Sequence, residues 1–470
     1  MPHIRLFRHY IHTPMLLLSL AEGALVMLSA YLGYLTAHGE FPPVVDYLTP
    51  SIAMALVFVA AMLAMGVYES WIREGMTGMS LRTAVAMLLL GSTAMALLGA
   101  LTPTLDIGQS SLLFATVCAF AAVTLFRLAV FFFLDEDVFK QRVLVLGIGG
   151  RARKIAARMR RRADQRAFSL HGFLDTGAGN DQISEFGVRI LRTDQDLLSY
   201  CRANEIAEIV VAMDERRRNV SSGGGLPLEE LMECRLSGIS VCDVQQFIER
   251  EACKVDVDLL RPSWLVFSDG FVTSTGRAAS KFLFDMLASL LLLALAWPLM
   301  LLVALLIKLE APDQPVLYRQ LRVGHNGRQF KVVKFRSMIP AAEGPEARWT
   351  ARNDPRVTQI GNFIRKTRID ELPQLFNVLK GEMSFVGPRP ERPVFVDELR
   401  QQIPFYDQRH RLKPGITGWA QLCYPYGASI DDAKEKLQYD LYYLKNHSLL
   451  LDLVIMLQTV EVVLIGEGAR

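Results

Sequence analysis

Cysteine is scarce and unpatterned in this chain. Six cysteines (Cys118, Cys201, Cys234, Cys242, Cys253 and Cys423) are scattered over 470 residues, with no Cys-x-x-Cys and no zinc-ligand spacing. That excludes a disulfide framework or a structural zinc site and suits a reducing compartment. No Gly-Lys dipeptide occurs, hence no P-loop, and His-Glu-x-x-His is missing as well. No tyrosine has a lysine four residues later, which removes the Tyr/Lys pair of short-chain dehydrogenases and epimerases. Charge of one sign is also lacking. A net charge of +3 makes no electrostatic case for binding nucleic acid.

What the chain has in excess is apolar sequence. Hydrophobic residues reach 51% while 21% are charged, a mixture that fits membrane segments joined to water-facing domains. The length predicts about three domains. Four apolar runs, 14–37, 51–69, 83–101 and 111–134, each have the length needed to span a bilayer core. The first has no small-residue cleavage site and is read as a retained helix. Arg5, Arg8, Arg73, Arg82, Lys140 and Arg142 flank alternate ends of these runs, and segments 38–50 and 102–110 contain no Lys or Arg. The loop-charge rule therefore puts both ends of the bundle in the cytoplasm. Glu22 and Arg127 lie at matched depth within their spans and are expected to pair.

Residues 138–250 change character. Arg142–Leu146 is an apolar strand running into Gly147-Ile-Gly149-Gly-Arg-Ala152, a G-x-G-x-x-A turn, with Asp175 after a second strand at 170–174. Further strands are expected at 208–212 and 238–242, giving a Rossmann-like, doubly wound α/β domain. Gly147, Gly149 and Asp175 could serve NAD or another nucleotide; close strand–helix packing demands the same glycines, and a bound nucleotide is not expected. Ser221–Gly225 reads as a loop and 251–276 as a connector.

A fifth apolar run, Phe282–Ile307, lies between Lys281 and Lys308. Its length alone would let it cross. Basic residues on both sides argue against crossing, and Pro298 divides the run into two arms too short to span. The expected form is a re-entrant hairpin at 281–308 with its break at Trp297–Pro298, entering and leaving by the cytoplasmic face.

The chemistry concentrates after that run. In Arg365-Lys-Thr-Arg-Ile-Asp370-Glu371-Leu-Pro-Gln, two adjacent carboxylates follow a basic run and open a short apolar helix stopped by Gly381. The helix N-terminus, Arg365 and Arg368 are expected to keep Asp370 ionised, fit to act as a nucleophile. Lys334 and Arg336, two apart in a strand, should share a face. Arg389 sits between two prolines that restrict its backbone. Cations on stiff loops beside paired carboxylates make a phosphate site, with Glu371 and Asp370 available to Mg²⁺.

Lys334-Phe-Arg-Ser-Met338, Asn353-Asp-Pro-Arg-Val-Thr358, Ile369-Asp-Glu-Leu-Pro-Gln374, Gly387-Pro-Arg-Pro-Glu391 and Pro414-Gly-Ile-Thr-Gly-Trp-Ala-Gln421 together resemble the motifs of bacterial polyprenyl-phosphate phosphoglycosyl transferases of the monotopic type. The four spans and the α/β domain resemble the large form of that family, which primes exopolysaccharide or O-antigen synthesis. Tyr424–Ser429 is similar to the subgroup associated with exosortase systems. The resemblance implies an inner-membrane enzyme that transfers a hexose 1-phosphate from a UDP-sugar to undecaprenyl phosphate, releasing UMP, with Mg²⁺. It implies Asp370 as covalent nucleophile and Glu371 as its assistant and metal ligand. Arg365, Arg389 and Glu391 would bind substrate, and Lys334 and Arg336 are added to them on charge. Its implied partners are the lipid bilayer and other polysaccharide-assembly enzymes, with a homodimer compatible. Trp297 stands where the family pairs a small polar residue with Pro, and Glu382 where Asp is common. The expected architecture is a multi-domain membrane protein: a four-helix transmembrane bundle (1–137), the Rossmann-like domain (138–250), the connector (251–276) and an α+β catalytic domain (277–470).

Overall fold

The computed structural model describes residues 3–6, 9–68, 76–133, 140–159, 165, 168–177, 181–193, 195–214, 226–262, 268, 271, 275–339, 356–424, 427 and 429–465. The Ser221–Gly225 loop and positions 353–355 of the Asn353–Thr358 turn lie outside them. The chain forms two compact units, one holding most of residues 1–259 and the other most of 260–470.

In the first unit, two short strands, β1 (His3–Leu6) and β2 (His9–His12), precede the apolar helices. These are α1 (Thr13–His38), α2 (Val44–Ala64), the pair α3 (Met76–Ala84) and α4 (Ser92–Leu101), and α5 (Gln109–Phe133). A π-helical turn, Val85–Gly91, joins α3 to α4. By length and composition, these helices supply four candidate membrane spans. They pack around Val26, Met54, Phe58, Met87, Ala119 and Val123. Glu22 and Arg127 meet in this core as expected, Nη2 donating to Oε2 at 2.7 Å. Tyr68 and Thr83 complete the cluster by donating to Glu22 and accepting from Arg127. Both charges are at least nine-tenths buried, so the hydroxyls supply hydrogen bonds that a bare ion pair at this depth would lack.

The α/β part is a five-stranded parallel sheet. Its strands are β3 (Gln141–Leu146), β4 (Phe168–Leu174), β5 (Ile190–Leu191), β6 (Glu208–Val211) and β7 (Ser240–Asp243), in the order β5-β4-β3-β6-β7. Helices α6 (Gly150–Met159), α7 (Leu197–Ala203), α8 (Leu228–Leu236) and α9 (Val244–Ala252) flank it. Two apolar clusters cover its faces, one with Val143 and Val145, the other with Leu144 and Leu146. That is the two-sided burial a parallel sheet requires. Its first turn, where a nucleotide was possible but not expected, is filled by the chain itself. Asp214 accepts hydrogen bonds from the backbone N–H of Gly150 at 2.6 Å and Arg151 at 2.9 Å, the groups that would hold a pyrophosphate. A Cβ on Gly149 would fall 2.0 Å from that carboxylate. Gly149 thus makes room for the chain's own acid, Gly147 (φ +114°) packs against the Ala212–Met213 backbone, and Asp175 pairs with Arg192 at 3.1 Å.

The second unit opens with α10, Thr275–Glu310, 36 residues long. The predicted break at Trp297–Pro298 is not formed. The helix runs through Pro298, and both residues are exposed. Proline forfeits its bond to the carbonyl of Ala294, yet one stripe of the helix holds its packing on both sides of that point. Asp285 and Ser289 are buried before it, and Met300, Val303 and Ile307 after it. Those last three join Phe335 and Ile364 in a core. Leu283, Leu287, Leu291, Leu295 and Leu302 on the other face are more than half exposed. Then come the antiparallel ribbon β8 (Leu317–Val323) and β9 (Gln329–Phe335), and α11 (Gln359–Lys366). A 3₁₀ turn, Ile369–Gln374, leads into α12 (Leu375–Leu379). The parallel pair β10 (Ser384–Val386) and β11 (Gly415–Thr417) flanks α13 (Pro393–Gln402) in sequence. Three helices close the unit: α14 (Trp419–Cys423), α15 (Ile430–Asn446) and α16 (Leu449–Ile465).

Candidate active site

The site is organised by a reversal of the chain after α11. Thr358 caps that helix, accepting from the N–H of Gly361 at 2.9 Å. Arg368 then adopts a left-handed conformation (φ +57°), which redirects the backbone and delivers Asp370 and Glu371 in the first turn of a 3₁₀ segment. A continuous α-helix opened by the carboxylates was expected. The first turn, which contains Pro373, is instead 3₁₀, and the α-helix begins at Leu375.

Three cations converge on Glu371. Lys334 donates to its Oε1 at 2.8 Å, with Arg389 at 3.6 Å and Arg368 at 3.7 Å from the same oxygen. Burial alone would raise the Glu371 carboxyl; Lys334, then Arg389 and Arg368, overturn it and hold it at about 2. Asp370 goes the other way. Burial, the largest cause, pushes it up to about 6 with help from Glu371, against the fields of Lys334, Arg368 and Arg365. Asp370 was expected to stay ionised through its neighbouring cations; burial raises its carboxyl against them. Its neighbour takes the direct ion pairs, and among the described residues no hydrogen bond reaches the Asp370 carboxylate. Asp370 is ionised near neutral pH and keeps its oxygens uncommitted, as a nucleophile requires.

Two loops hold Arg389. Gly387 donates to Thr417 O at 2.9 Å and Gly415 to Pro388 O at 3.0 Å, locking β10 to β11. A Cβ on Gly387 would lie 2.3 Å from Lys413 O, and one on Gly415 would lie 2.0 Å from Gly387 N. Only glycine permits that approach. Arg389 itself donates to Gln421 Oε1 at 3.1 Å, and Arg409 donates to the Arg389 carbonyl at 2.9 Å. Below the loop, Lys281 on α10 reaches Val386 O (3.2 Å) and Asp452 on α16 (2.8 Å), while Asp285 accepts from Phe385 N at 3.1 Å. The apolar helix therefore grips the strand that carries the arginine loop. Gln421 closes the Pro414–Gln421 motif but was given no role, and nothing in the motif spacing pointed to Arg409 or this polar stripe; Lys281 and Asp285 four residues apart at the edge of an apolar run were the available signal.

Arg336 was expected beside Lys334 and is not there. Strand β9 ends at Phe335, so the alternation stops one residue short. Arg336 is buried and donates to the carbonyls of Ile307 (3.1 Å) and Ala311 (3.4 Å), capping the C-terminus of α10. Glu391 lies 3.6 Å from Arg322. Arg365, in the last turn of α11, acts on Asp370 through its field.

The bacterial sugar transferase family model matches residues 276–466, and a CoA-binding domain model matches 63–219. Over 240 residues the chain is 45% identical to the UDP-N-acetylgalactosamine-undecaprenyl-phosphate N-acetylgalactosaminephosphotransferase of Aeromonas hydrophila, covering 51% of this chain and 56% of that one. It is 36% identical to the undecaprenyl-phosphate glucose phosphotransferase of Komagataeibacter xylinus, over 68% of this chain and 58% of the relative. The alignments thus span little more than half the length of these two relatives. A third is the UDP-glucose:undecaprenyl-phosphate glucose-1-phosphate transferase of Caulobacter vibrioides, 42% identical over 40% of this chain and 71% of its own length. With the carboxylate pair, its cations and the interlocked glycine loops all inside the matched segment, the chain is a membrane protein that belongs to the bacterial sugar transferase family.

Proposed function

We propose that the chain transfers a sugar 1-phosphate from a UDP-sugar to undecaprenyl phosphate, releasing UMP, in two displacements at Asp370. The observation that carries this is the division of labour in the carboxylate pair: Glu371 fixed by three cations, Asp370 buried beside them with its oxygens uncommitted. In the first displacement an Asp370 oxygen attacks the sugar-bearing phosphorus. The P–O bond to UMP breaks and UMP leaves with its electron pair. In the second, a phosphate oxygen of undecaprenyl phosphate attacks the same phosphorus and Asp370 leaves as carboxylate. Lys334, Arg368 and Arg389 neutralise charge developing on the transferred group, an effect strongest in a site shielded from water.

The donor set suits Mg²⁺. That ion typically takes one or two carboxylates together with substrate phosphates, and Asp370 with the second oxygen of Glu371 can supply them. Among the described residues no three His, Cys, Asp or Glu side chains gather for an all-protein cage. When bound, the ion would offset phosphate charge and lower the barrier to departure of UMP.

The enzyme would sit in the bacterial inner membrane with this site on the cytoplasmic side. Support comes from the basic flanks of the apolar runs and from α10, whose two ends bind the same unit through Lys281 and through the Arg336–Ile307 contact. Thr275→Cys and Pro315→Cys variants should label only from the cytoplasmic face; periplasmic labelling at 315 would refute the one-sided topology. The activity is tested by screening UDP-sugars, UDP-N-acetylgalactosamine and UDP-glucose first, for UMP release in the presence of undecaprenyl phosphate. One donor should give lipid-dependent turnover, and UMP release from none would end the proposal.

A further inference from the structure

His9, at the start of β2, stands 433 residues before Tyr442 in the chain and meets it in space. It belongs to the second unit, although the strand it opens continues in the first. Its Nδ1 lies 2.9 Å from the Tyr442 hydroxyl on α15. Its ring stands edge-on to Trp419 (centroids 5.8 Å apart, 80°) and to Tyr442 (6.1 Å, 76°), an arrangement that aromatic rings favour. All three side chains are buried, Tyr442 completely. Removing the imidazole would therefore strand a buried hydroxyl and take away one wall of the Trp419 seat.

Trp419 opens α14, and Gln421 follows it by two residues on that five-residue helix. A helix so short has no stability of its own, so its placement is set by what it packs against. On one side it meets the arginine loop. Gln421 Oε1 accepts from Arg389 Nη1 at 3.1 Å, and a Cβ on Gly418, the residue before Trp419, would lie 2.2 Å from Gly387 O. On the other side Trp419 packs on Tyr442 and His9. Arg409 holds the Arg389 backbone; Gln421 holds the guanidinium.

We infer that His9 is a positioning residue of the candidate site. By seating Trp419 it sets α14, and α14 sets the Gln421 amide that aims Arg389 at the transferred group. The N-terminal strand is thereby a working part of the unit that holds the carboxylate pair. The inference rests on the proposed phosphate-neutralising role of Arg389.

The test uses the detergent-solubilised full chain with His9→Ala, His9→Asn, Gln421→Ala and the double variant His9→Ala/Gln421→Ala. One readout needs no substrate. Cys423 ends α14 and is half-buried, so its rate of alkylation by N-ethylmaleimide, followed by mass spectrometry of its peptide, reports how firmly the helix is seated. His9→Ala should raise that rate about tenfold, the scale of stranding a buried hydroxyl. His9→Asn, whose amide can meet the Tyr442 hydroxyl, should bring it back to within about twofold of wild type. The buried Cys201 of the first unit should stay unlabelled throughout, the sign that each variant is folded.

The second readout is lipid-dependent UMP release. His9→Ala should lower turnover about tenfold, in keeping with a small misplacement of one charged group, and His9→Asn should restore most of it. Adding His9→Ala to Gln421→Ala should cost less than about twofold further, because both act through the same side chain. Full multiplication of the two losses would mean that His9 only stabilises the fold and would overturn the inference. Unchanged Cys423 labelling or unchanged turnover in His9→Ala would overturn it too. A wild type that releases no UMP from any donor would fail the transfer reading and the positioning role with it, while the Cys423 rates would still decide whether His9 seats α14.

Discussion

Asp370→Asn should abolish UMP release while leaving the donor bound. The substitution keeps size and hydrogen-bonding capacity but replaces the attacking oxygen with an amide that cannot form the phosphoryl bond. Loss of at least about a thousandfold in turnover is expected, in line with the removal of other covalent nucleophiles. The fold should survive. Asp370 makes no hydrogen bond among the described residues, and burial works against its charged form, so a neutral isostere relieves a desolvation cost rather than breaking a pair. A melting temperature at or above that of wild type, with UMP release at background, is the expected pattern. Release near the wild-type rate would remove Asp370 from the mechanism.

Lys334→Met should be the next most damaging change, and it carries a signature in pH. Lys334 donates to Glu371 at 2.8 Å and is also the foremost of the charges pulling Asp370 down. Removing it leaves two buried carboxylates with less cationic support, and a drop in turnover of about 10²–10³ is expected for an electrostatic stabiliser of this kind. The sign of the accompanying shift is fixed. The reaction needs ionised Asp370, whose pKa is about 6, so the wild-type rate should fall about tenfold per pH unit below that value. Without Lys334 the Asp370 pKa rises, and the acid limb of the profile moves to higher pH. Lys334→Arg should restore part of the rate and return the limb toward its wild-type position. A Lys334→Met enzyme that is slower with an unmoved acid limb would mean that Lys334 only contacts substrate and does not tune the pair.

The residues that meet in the candidate site were legible because their motifs are local. Asp370, Glu371 and Arg389 sit in short stretches where proline and glycine fix the backbone, and Lys334 lies on a strand whose register the apolar alternation sets. The Glu22–Arg127 pair was legible for a different reason: two charges at one depth in apolar helices have few other partners. What the sequence hid depends on where elements stop and on what folds back from afar. Arg336 misled because the strand ends at Phe335, a boundary that periodicity does not mark. The G-x-G-x-x-A turn left its own purpose open, because Asp214, which returns to the helix N-terminus, lies more than sixty residues later. Pro298 suggested two arms, but packing of Asp285 through Ile307 along one face of α10 keeps the helix continuous. The inversion within the carboxylate pair was out of reach altogether, since it depends on which oxygen the three cations meet.

One property links the fold to the proposed chemistry. The helix that exposes a leucine face also holds β10, through Lys281 and Asp285, and β10 leads directly into the loop bearing Arg389. In the proposed reaction a lipid-borne phosphate and a water-soluble donor meet at a fixed depth, which anchoring the arginine loop to the apolar helix would provide.

The central claim, that residue 370 itself carries the sugar phosphate, is tested most directly by mass spectrometry. Enzyme mixed with its donor in the absence of undecaprenyl phosphate is quenched rapidly in acid and digested. The peptide containing Asp370 should gain the mass of one sugar phosphate (less water), and the gain should vanish on adding the lipid acceptor or in Asp370→Asn. Donor consumption and UMP release with that peptide unmodified at every quench time would contradict the account.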